Sequence, residues 1–132
     1  MAPDDNDLMA NLDVLIVDDL SAVRVVLYKS LRQLGIYGNI DQAADGLEAW
    51  DKLQQRSYGL VICDVNMPRM NGFELRKKMD DSDLFRFIPF LFFTGEVSAE
   101  LMARATAGNY LIKPVNIYRL AKAIKVILKT EN

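Results

Sequence analysis

Three carboxylates that follow short apolar runs are the residues of this 132-residue chain with the clearest capacity for chemistry. Asp64 follows Leu60–Cys63, and the pair Asp18 and Asp19 follows Val14–Val17. A carboxylate directly after such a run indicates the carboxyl end of a buried strand, where an open α/β sheet places its ligand crevice. Three negative charges at one sheet edge need a cation to offset their repulsion. The pattern predicts a Mg²⁺-assisted phosphoryl acceptor.

Two further strand ends carry polar side chains suited to phosphate chemistry. The dipeptide Thr94-Gly95 follows the fourth apolar run, and Lys113-Pro114 follows the fifth. Taken singly, a strand-end Asp is usually a turn residue or a helix N-cap, and Thr-Gly or Lys-Pro is usually part of a loop. Parallel strands place their carboxyl ends on one edge of a sheet, so four polar strand ends are improbable as coincidence. We therefore predict that these side chains converge on one site.

The elements that position these residues alternate along the chain. Short apolar runs predict strands at Val14–Val17, Leu60–Asp64, Pro89–Phe93 and Tyr110–Ile112, and the weaker signal at Ile40–Ala44 predicts the second of the five strands. Apolar residues at helical spacing predict five helices, at Ser21–Leu34, Gly46–Gln54, Gly72–Met79, Ser98–Thr106 and Ile117–Lys129. Such β/α repeats favour an α/β fold, a parallel sheet covered by helices on both faces. We expect one domain over residues 13–130, preceded by a loose tail at residues 1–12.

Composition and charge exclude several classes of function. Sixteen basic and eighteen acidic residues give a net charge of −2, and without a long basic tract nucleic-acid binding has little support. No apolar run approaches the ~20 residues of a membrane span, and the acidic, polar start is unlike a signal peptide. The single cysteine, Cys63, cannot form an intrachain disulfide, which suits a reducing compartment. We expect a cytoplasmic protein that binds neither nucleic acid nor a membrane.

The chain contains no histidine. Histidine-based acid–base catalysis, histidine metal ligands and a phosphohistidine on this chain are therefore excluded. Carboxylates, hydroxyls, Lys and Arg must perform whatever chemistry takes place.

In their order along the chain, these motifs resemble those of the receiver domain of bacterial two-component response regulators, above all of the stand-alone chemotaxis-type receivers. The resemblance extends from about Leu12 to Leu128. It rests on the segments Val17-Asp18-Asp19, Cys63-Asp64-Val65-Asn66-Met67-Pro68, Met70-Asn71-Gly72, Phe93-Thr94-Gly95 and Tyr110-Leu111-Ile112-Lys113-Pro114. It implies the flavodoxin-like receiver fold, a doubly wound sheet of five parallel strands in the order 2-1-3-4-5.

The resemblance also implies a phosphoacceptor and a metal site. Asp64 would take a phosphoryl group from a histidine kinase or a phosphotransfer protein. Asp19 and Asp64 would bind Mg²⁺ directly, together with the backbone carbonyl of Asn66. Asp18 would act on the ion mainly through water.

Other matches suggest how the phosphoryl group is held and read out. Lys113 and the Thr94 hydroxyl would each bind a phosphoryl oxygen, and Lys113-Pro114 is expected to have a cis peptide bond that aims the ammonium into the site. Thr94 and Tyr110 match the switch pair of the family, whose motion alters the surface formed by the fourth predicted helix, the fifth strand and the fifth helix. We expect an output protein to bind that surface.

Four smaller matches concern the rim of the site. Asn66 and Glu96 would flank the path of the attacking water and predict rapid loss of phosphate, with a phosphatase as a further candidate partner. Gly72 would supply backbone freedom in the loop after Asp64. Gly95 would leave room beside the phosphate, and its N–H could donate a hydrogen bond to it.

The segment between Thr94 and Lys113 departs from the family pattern. It is a few residues shorter than usual, and it reads Ala107-Gly108-Asn109-Tyr110 where Ala-Gly-Ala-x-x-Tyr is common. The fourth predicted helix, Ser98–Thr106, must therefore be short or be followed by a tight loop. The choice of partner and the geometry of the switch depend on this segment, whereas the catalytic residues are unaffected by the shortening.

The leading interpretation is a stand-alone response regulator, a signalling switch that catalyses only its own phosphorylation and dephosphorylation, and the Met1 start favours a short natural protein. A receiver fragment of a larger regulator or hybrid kinase, a phosphorelay intermediate and a phosphate sink remain alternatives. A phosphohydrolase of the haloacid-dehalogenase type would need an acid–base carboxylate where Asn66 stands, and a cap domain. A pseudo-receiver without chemistry is disfavoured by the intact set Asp18, Asp19, Asp64, Thr94 and Lys113.

Overall fold

A computed structural model describes residues 5–105 and 109–130. Its strands are β1 (Val14–Val17), β2 (Ile40–Ala43), β3 (Leu60–Cys63), β4 (Phe90–Thr94) and β5 (Tyr110–Ile112). Its helices are α1 (Asp5–Ala10), α2 (Ser21–Gln33), α3 (Gly46–Gln55), α4 (Gly72–Asp80), α5 (Ala99–Arg104) and α6 (Ile117–Thr130). The strands form one five-stranded parallel sheet in the order β2-β1-β3-β4-β5. The predicted fold class and strand order are confirmed.

Strand pairing brings the carboxyl ends of the strands level with one another. β1 lies between β2 and β3, with Val17 opposite Ala43 on one side and Cys63 on the other. β4 pairs with β5 so that Thr94 lies opposite Ile112. The residues that follow these strands therefore emerge at the same edge of the sheet.

Two apolar clusters, one on each face of the sheet, hold the helices in place. The first cluster packs strand residues such as Val17 and Cys63 against α3, α4 and α5. The second packs Ile16 and Ile62 against α1, α2 and α6. Every residue of β1 and β3 is buried, because successive side chains of a strand point to opposite faces and both faces are covered.

Helix α1 is a departure from the sequence prediction. The chain expected to be loose up to residue 12 instead forms a helix at Asp5–Ala10, and Met9 and Leu12 are only 2% and 9% exposed within the second cluster. The N–H of Tyr37 donates a hydrogen bond to the main-chain oxygen of Ala10 at 2.9 Å. The prediction of a loose tail is therefore wrong for this segment, because a short helix depends on packing more than on propensity. Residues 1–4 lie outside the described part of the chain.

Four of the described helices begin with a side-chain N-cap. Asp45 caps α3, Asn71 caps α4, Ser98 caps α5 and Asn116 caps α6, and each accepts a hydrogen bond from the N–H three residues further on. These caps fix where the helices leave the loops at the carboxyl edge of the sheet. Within residues 5–105 and 109–130, no helix has the length and apolar character needed to cross a membrane.

Two element boundaries bear on the site. β3 ends at Cys63, one residue earlier than predicted, so Asp64 is the first residue of the following loop. Helix α5 covers only Ala99–Arg104, as the shortened segment requires. The predicted end of that helix, Thr106, and the pair Ala107-Gly108 lie outside the described residues.

Candidate active site

Three carboxylates meet at the carboxyl edge of the sheet. Asp18 and Asp19 follow β1, Asp64 follows β3, and one carboxylate oxygen of each lies within 4.8 Å of the other two. Asp18 and Asp64 are only 1% and 6% exposed, whereas Asp19 faces solvent. The cluster forms because β1 and β3 are neighbours in the sheet.

Asp18 keeps one carboxylate oxygen without a hydrogen bond. Its Oδ1 accepts a hydrogen bond from Leu20 N at 2.9 Å, and its main-chain oxygen accepts one from the Arg24 guanidinium at 2.6 Å. Its Oδ2 is buried and has no hydrogen-bond donor among the described residues. Lys113 Nζ lies 2.8 Å from this Oδ2, so the ammonium pairs with it by charge. Oδ2 therefore has one charged neighbour and keeps lone-pair capacity for a cation or an ordered water.

Lys113 lies between the two buried carboxylates. Its Nζ donates a hydrogen bond to Asp64 Oδ2 at 3.1 Å, while Asp64 Oδ1 accepts one from Val65 N at 2.7 Å. Burial raises the pKa of Asp64, the hydrogen bond from Lys113 opposes this rise, and the charge of Asp18 adds to it. Burial alone would lower the pKa of Lys113, but Asp18 and Asp64 outweigh it, and the pKa is raised. The ammonium therefore stays charged.

The set of oxygen atoms fits a hard divalent cation. Mg²⁺ takes oxygen ligands, often from one or two carboxylates, and keeps several waters. Asp18, Asp19 and Asp64 offer oxygens in one small volume, and the Asp18 Oδ2 lacks a donor. Because Asp19 is exposed, the cluster is open to solvent on that side. A divalent cation would offset the repulsion that Lys113 offsets only in part.

Thr94 and Tyr110 lie on adjacent strands and on the same face of the sheet. Thr94 ends β4 and is buried, and its main-chain oxygen accepts a hydrogen bond from Lys113 N at 2.8 Å. Tyr110 begins β5 opposite Phe92 and packs, partly buried, against the first cluster. Phe92 and Thr94 are two residues apart in one strand, so Thr94 and Tyr110 project to the same face. The peptide bond Lys113–Pro114 is cis, as predicted.

Asn66, Gly95 and Glu96 lie on the rim of the site. Asn66 belongs to the loop after β3, the other two belong to the loop after β4, and all three are exposed. No heavy atom lies within 4 Å of the place where a Cβ of Gly95 would be. Packing therefore does not require glycine at this position, and there is open space next to Thr94.

Gly72 is required for a reason other than the one predicted. A Cβ here would lie 2.2 Å from the main-chain oxygen of Asp64 and 3.1 Å from Val65 Cα. The Gly72 N–H also donates a hydrogen bond to Val65 O at 2.9 Å. Among the glycines of the described ranges, only Gly35 has a positive φ. The prediction that Gly72 supplies backbone freedom is wrong, because its role is to let the start of α4 approach the loop after Asp64.

Two charged residues near the site were not predicted. Asp45 is buried at the start of α3, and its Oδ2 lies 2.7 Å from the guanidinium of Arg69. Arg69, in the loop between β3 and α4, has a φ of 64°. The sequence does carry a signal for Asp45 as a candidate site residue, since it follows a predicted strand and precedes a glycine. Nothing in the sequence indicates its pairing with Arg69, 24 residues away.

The sequence matches a known family model over most of its length. Residues 14–125 match the model described as response regulator receiver domain. The matched span contains all five strands, the three clustered carboxylates and Lys113. The elements that build the site therefore lie within the matched span.

Individual relatives are similar over nearly their whole length. The chemotaxis protein CheY1 of Helicobacter pylori is 36% identical over 125 residues, which cover 92% of this chain and 100% of that protein. The chemotaxis protein CheY-3 of Vibrio cholerae is 33% identical, covering 92% of this chain and 95% of that protein. Among solved structures, the chemotaxis protein CheY4 of Vibrio cholerae has a TM-score of 0.79 at 35% identity, covering 89% of this chain and 99% of that one.

Proposed function

The chain belongs to the response regulator receiver domain family, and on that premise we propose that Asp64 accepts a phosphoryl group from a histidine kinase or a phosphotransfer protein. The observation that carries the proposal is the position of the Asp64 carboxylate at the sheet edge. It lies 3.1 Å from the Lys113 ammonium and clusters with Asp18 and Asp19. The protein then acts as a signalling switch of a two-component system or phosphorelay, and it catalyses only its own phosphorylation and dephosphorylation.

The transfer step needs little covalent chemistry from this chain. A carboxylate oxygen of Asp64 attacks the phosphorus of a phosphohistidine on the donor. An O–P bond forms, the P–N bond breaks, and its electron pair returns to the donor imidazole, which leaves a mixed anhydride on Asp64. Lys113, already 3.1 Å from Asp64 Oδ2, supplies positive charge for one phosphoryl oxygen. The Thr94 hydroxyl binds another.

We propose Mg²⁺ as the cation of this site. Asp19 and Asp64 would hold it directly, together with the backbone carbonyl of Asn66, and Asp18 would act mainly through water. When bound, the ion supplies positive charge that offsets repulsion between these carboxylates and the incoming phosphoryl oxygens. The support is the shared position of the three carboxylates and the Asp18 oxygen without a donor.

Thr94 and Tyr110 are the proposed switch. A phosphoryl oxygen on Asp64 would attract the Thr94 hydroxyl, and the space that the Thr94 side chain leaves would be taken by the Tyr110 ring. The support is their position on one face of adjacent strands. Because Tyr110 begins β5, its movement would change the surface formed by α5, β5 and α6.

That surface is the proposed binding site for the output protein. Large apolar side chains are exposed on it and beside it, namely Val97, Met102, Ile112 and Tyr118. Helix α6 carries four basic residues and no acidic one, the basic residues being Arg119, Lys122, Lys125 and Lys129. Tyr118, at 84% exposure, is an aromatic anchor within this basic surface, a combination that suits a partner segment with acidic and apolar side chains.

Asn66 and Glu96 are proposed to set the lifetime of the aspartyl phosphate. Both are exposed polar residues on the loops that border the site, where they could orient a water for attack on the phosphorus. We expect rapid autodephosphorylation of the wild type, at a rate altered by Asn66→Lys and by Glu96→Ala. Equal decay rates in all three proteins would exclude this role.

The proposed function is tested by incubation with Mg²⁺ and acetyl phosphate. Mass spectrometry should show one labile phosphoryl group on the wild type and none on Asp64→Asn. Asp51→Asn, which changes an exposed carboxylate of α3, is the matched control and should still be labelled. An unlabelled wild type would favour a pseudo-receiver, and a labelled Asp64→Asn would place the acceptor elsewhere. A pull-down with the phosphorylated and the Asp64→Asn proteins would then identify the partner.

We also propose that the switch acts as a single domain. The support is the match to Helicobacter pylori CheY1, which covers 100% of that protein. The output is then a change in protein binding, and no effector domain is needed to carry it.

A further inference from the structure

Two loops at the sheet edge are joined by an ion pair that lies outside the proposed phosphoryl site. Arg69, in the loop between β3 and α4, places Nε and one terminal nitrogen each 2.7 Å from Oδ2 of Asp45. Asp45 lies between β2 and α3. The pair Asp45 and Arg69 is called the latch below. It connects the β2 end of the sheet edge to the loop that contains Asn66.

The latch has features that an incidental surface ion pair would lack. Arg69 has a φ of 64°, in the left-handed region that bulky residues rarely adopt. The Asp45 side chain is only 7% exposed, although that of Arg69 is 60% exposed. Asp45 Oδ1 already accepts a hydrogen bond from Glu48 N at 2.9 Å, which leaves Oδ2 for Arg69. A buried carboxylate oxygen and a strained backbone therefore meet at one point.

Main-chain contacts beside the latch also join the loop before α3 to the loop before α4. Gly46 N donates a hydrogen bond to Met70 O at 3.0 Å, and a Cβ on Gly46 would lie 2.7 Å from the same oxygen. Met70 N donates to Pro68 O at 2.7 Å, which closes a three-residue turn centred on Arg69. The contact between Gly46 and Met70 therefore depends on the conformation that Arg69 adopts.

The same loop is also fixed at its base. Gly72 N donates a hydrogen bond to Val65 O at 2.9 Å, and Gly72 packs against the main-chain oxygen of Asp64. Asn66, whose carbonyl is a proposed ligand of Mg²⁺, lies between this base and the latch in the chain. The loop is therefore restrained on both sides of Asn66.

We propose that the latch fixes the loop over residues 65–71 and thereby sets the affinity of the site for Mg²⁺. Asp45 and Arg69 are positioning residues, which touch neither the ion nor the phosphoryl group. The inference rests on the proposed function, because it assigns the Asn66 carbonyl to the ion. Groups that orient a metal ligand without touching the metal commonly change metal affinity by about 10- to 100-fold.

Two single substitutions distinguish positioning from simple electrostatics. Asp45→Asn keeps an N-cap acceptor for Glu48 N but removes a negative charge, whereas Arg69→Ala removes a positive one. If charge alone acted on the cation, Asp45→Asn would weaken Mg²⁺ binding and Arg69→Ala would strengthen it. If the latch positions the loop, both variants should weaken binding by about tenfold. The double variant should then bind no more weakly than either single variant.

Amide hydrogen exchange in the metal-free protein tests the loop itself. The Gly46 amide, which donates to Met70 O, should exchange about tenfold faster in both single variants. The Val61 amide of β3, which donates to Pro89 O at 2.9 Å, should keep its rate if the change is local.

Asp81→Asn is the matched control. It makes the same chemical change in an exposed ion pair, that of Asp81 with Lys77 at 2.8 Å, at the far end of α4. It should alter neither the dissociation constant for Mg²⁺ nor the exchange of Gly46.

The outcomes separate the latch from the proposed function. Opposite changes in Mg²⁺ affinity in the two single variants, additive losses in the double variant, or unchanged exchange at Gly46 would each overturn the latch. A wild type that fails to bind Mg²⁺ would overturn the proposed metal site and with it the link to affinity. Exchange at Gly46 would still decide whether Asp45 and Arg69 hold the loop.

Discussion

Replacing Asp64 by Asn should make the metal-free protein more stable at neutral pH. One carboxylate oxygen of Asp64 lies within 4.8 Å of those of Asp18 and Asp19. At an effective dielectric constant of about 20, the buried Asp18 and Asp64 carboxylates repel each other by about 3.5 kcal/mol. Water screens the further repulsion from the exposed Asp19 to roughly 1 kcal/mol. The attraction to Lys113 Nζ, 3.1 Å away, amounts to about 5 kcal/mol on the same scale.

The balance of these terms favours removal of the charge. Repulsion of about 4.5 kcal/mol and attraction of about 5 kcal/mol nearly cancel. The desolvation of the buried Asp64 carboxylate, which is the largest cause of its raised pKa, therefore decides the sign. The amide of Asn must also be buried, which offsets part of the gain. We therefore expect Asp64→Asn to raise the free energy of unfolding by about 1–2 kcal/mol, or the Tm by roughly 3–6 °C.

The gain should depend on pH in a defined direction. Burial holds the pKa of Asp64 above its usual value, with Lys113 opposing this shift and the charge of Asp18 adding to it. A group with a raised folded-state pKa stabilises the fold fully below its unfolded pKa, about 3.9 for Asp, and this stability is lost as the pH rises through the folded-state pKa. Wild type and Asp64→Asn should therefore be similar below about pH 4 and diverge toward pH 7.

Urea unfolding followed by the fluorescence of Trp50 measures this difference. Trp50 is the only tryptophan, and its ring packs edge-on against Phe85 with centroids 5.3 Å apart, so unfolding should change its emission. Asp81→Asn removes an exposed carboxylate and should shift the unfolding free energy by less than about 0.5 kcal/mol. A less stable Asp64→Asn at pH 7, or a gain that does not vary with pH, would refute the electrostatic reasoning.

Packing leads to three further predictions. Gly72→Ala would place a Cβ 2.2 Å from a main-chain oxygen, whereas Gly95→Ala has no neighbour within 4 Å. Urea unfolding should show a loss of about 2–4 kcal/mol for Gly72→Ala and under about 1 kcal/mol for Gly95→Ala, and equal losses would contradict this packing argument. Met9→Ala, at a side chain 2% exposed, should lower the unfolding free energy by about 2–4 kcal/mol, and a negligible loss would mean that α1 is not part of the core. Cys63 is fully buried and burial raises its thiol pKa, so a thiol reagent should label it only in urea; rapid labelling of the native protein would contradict this.

The strands and the acidic cluster can be predicted from the sequence because their signals are local. An unbroken apolar run such as Leu60–Cys63 suits a strand buried on both faces, and the residue after it must emerge at the sheet edge. Once strands β1, β3 and β5 are parallel, Asp18, Asp64 and Lys113 share that edge. The short α5 could also be predicted, since the chain between Thr94 and Lys113 leaves no room for a longer helix.

Contacts between distant parts of the backbone could not be predicted in this way. Helix α1 has six residues, too few to be stable alone, so the packing of Met9 on the second cluster decides its structure. The left-handed conformation of Arg69 and its pairing with Asp45 depend on how two loops meet. Gly72 is explained by the position of the Asp64 main-chain oxygen, which no turn signal in the sequence reveals.

The favourable and the unfavourable contributions to stability lie in different parts of the fold. The apolar strands and the helices on both faces stabilise it, while the sheet edge combines like charges, a left-handed Arg69 and a backbone contact that only glycine allows. Such unfavourable features persist only where the surrounding structure holds them in place. The helices packed on both faces of the sheet hold Asp18, Asp19 and Asp64 close together. A cation that relieves their repulsion is therefore bound more tightly. The gain in the free energy of unfolding that is expected for Asp64→Asn therefore measures the cost of the negative charge that the fold holds at Asp64.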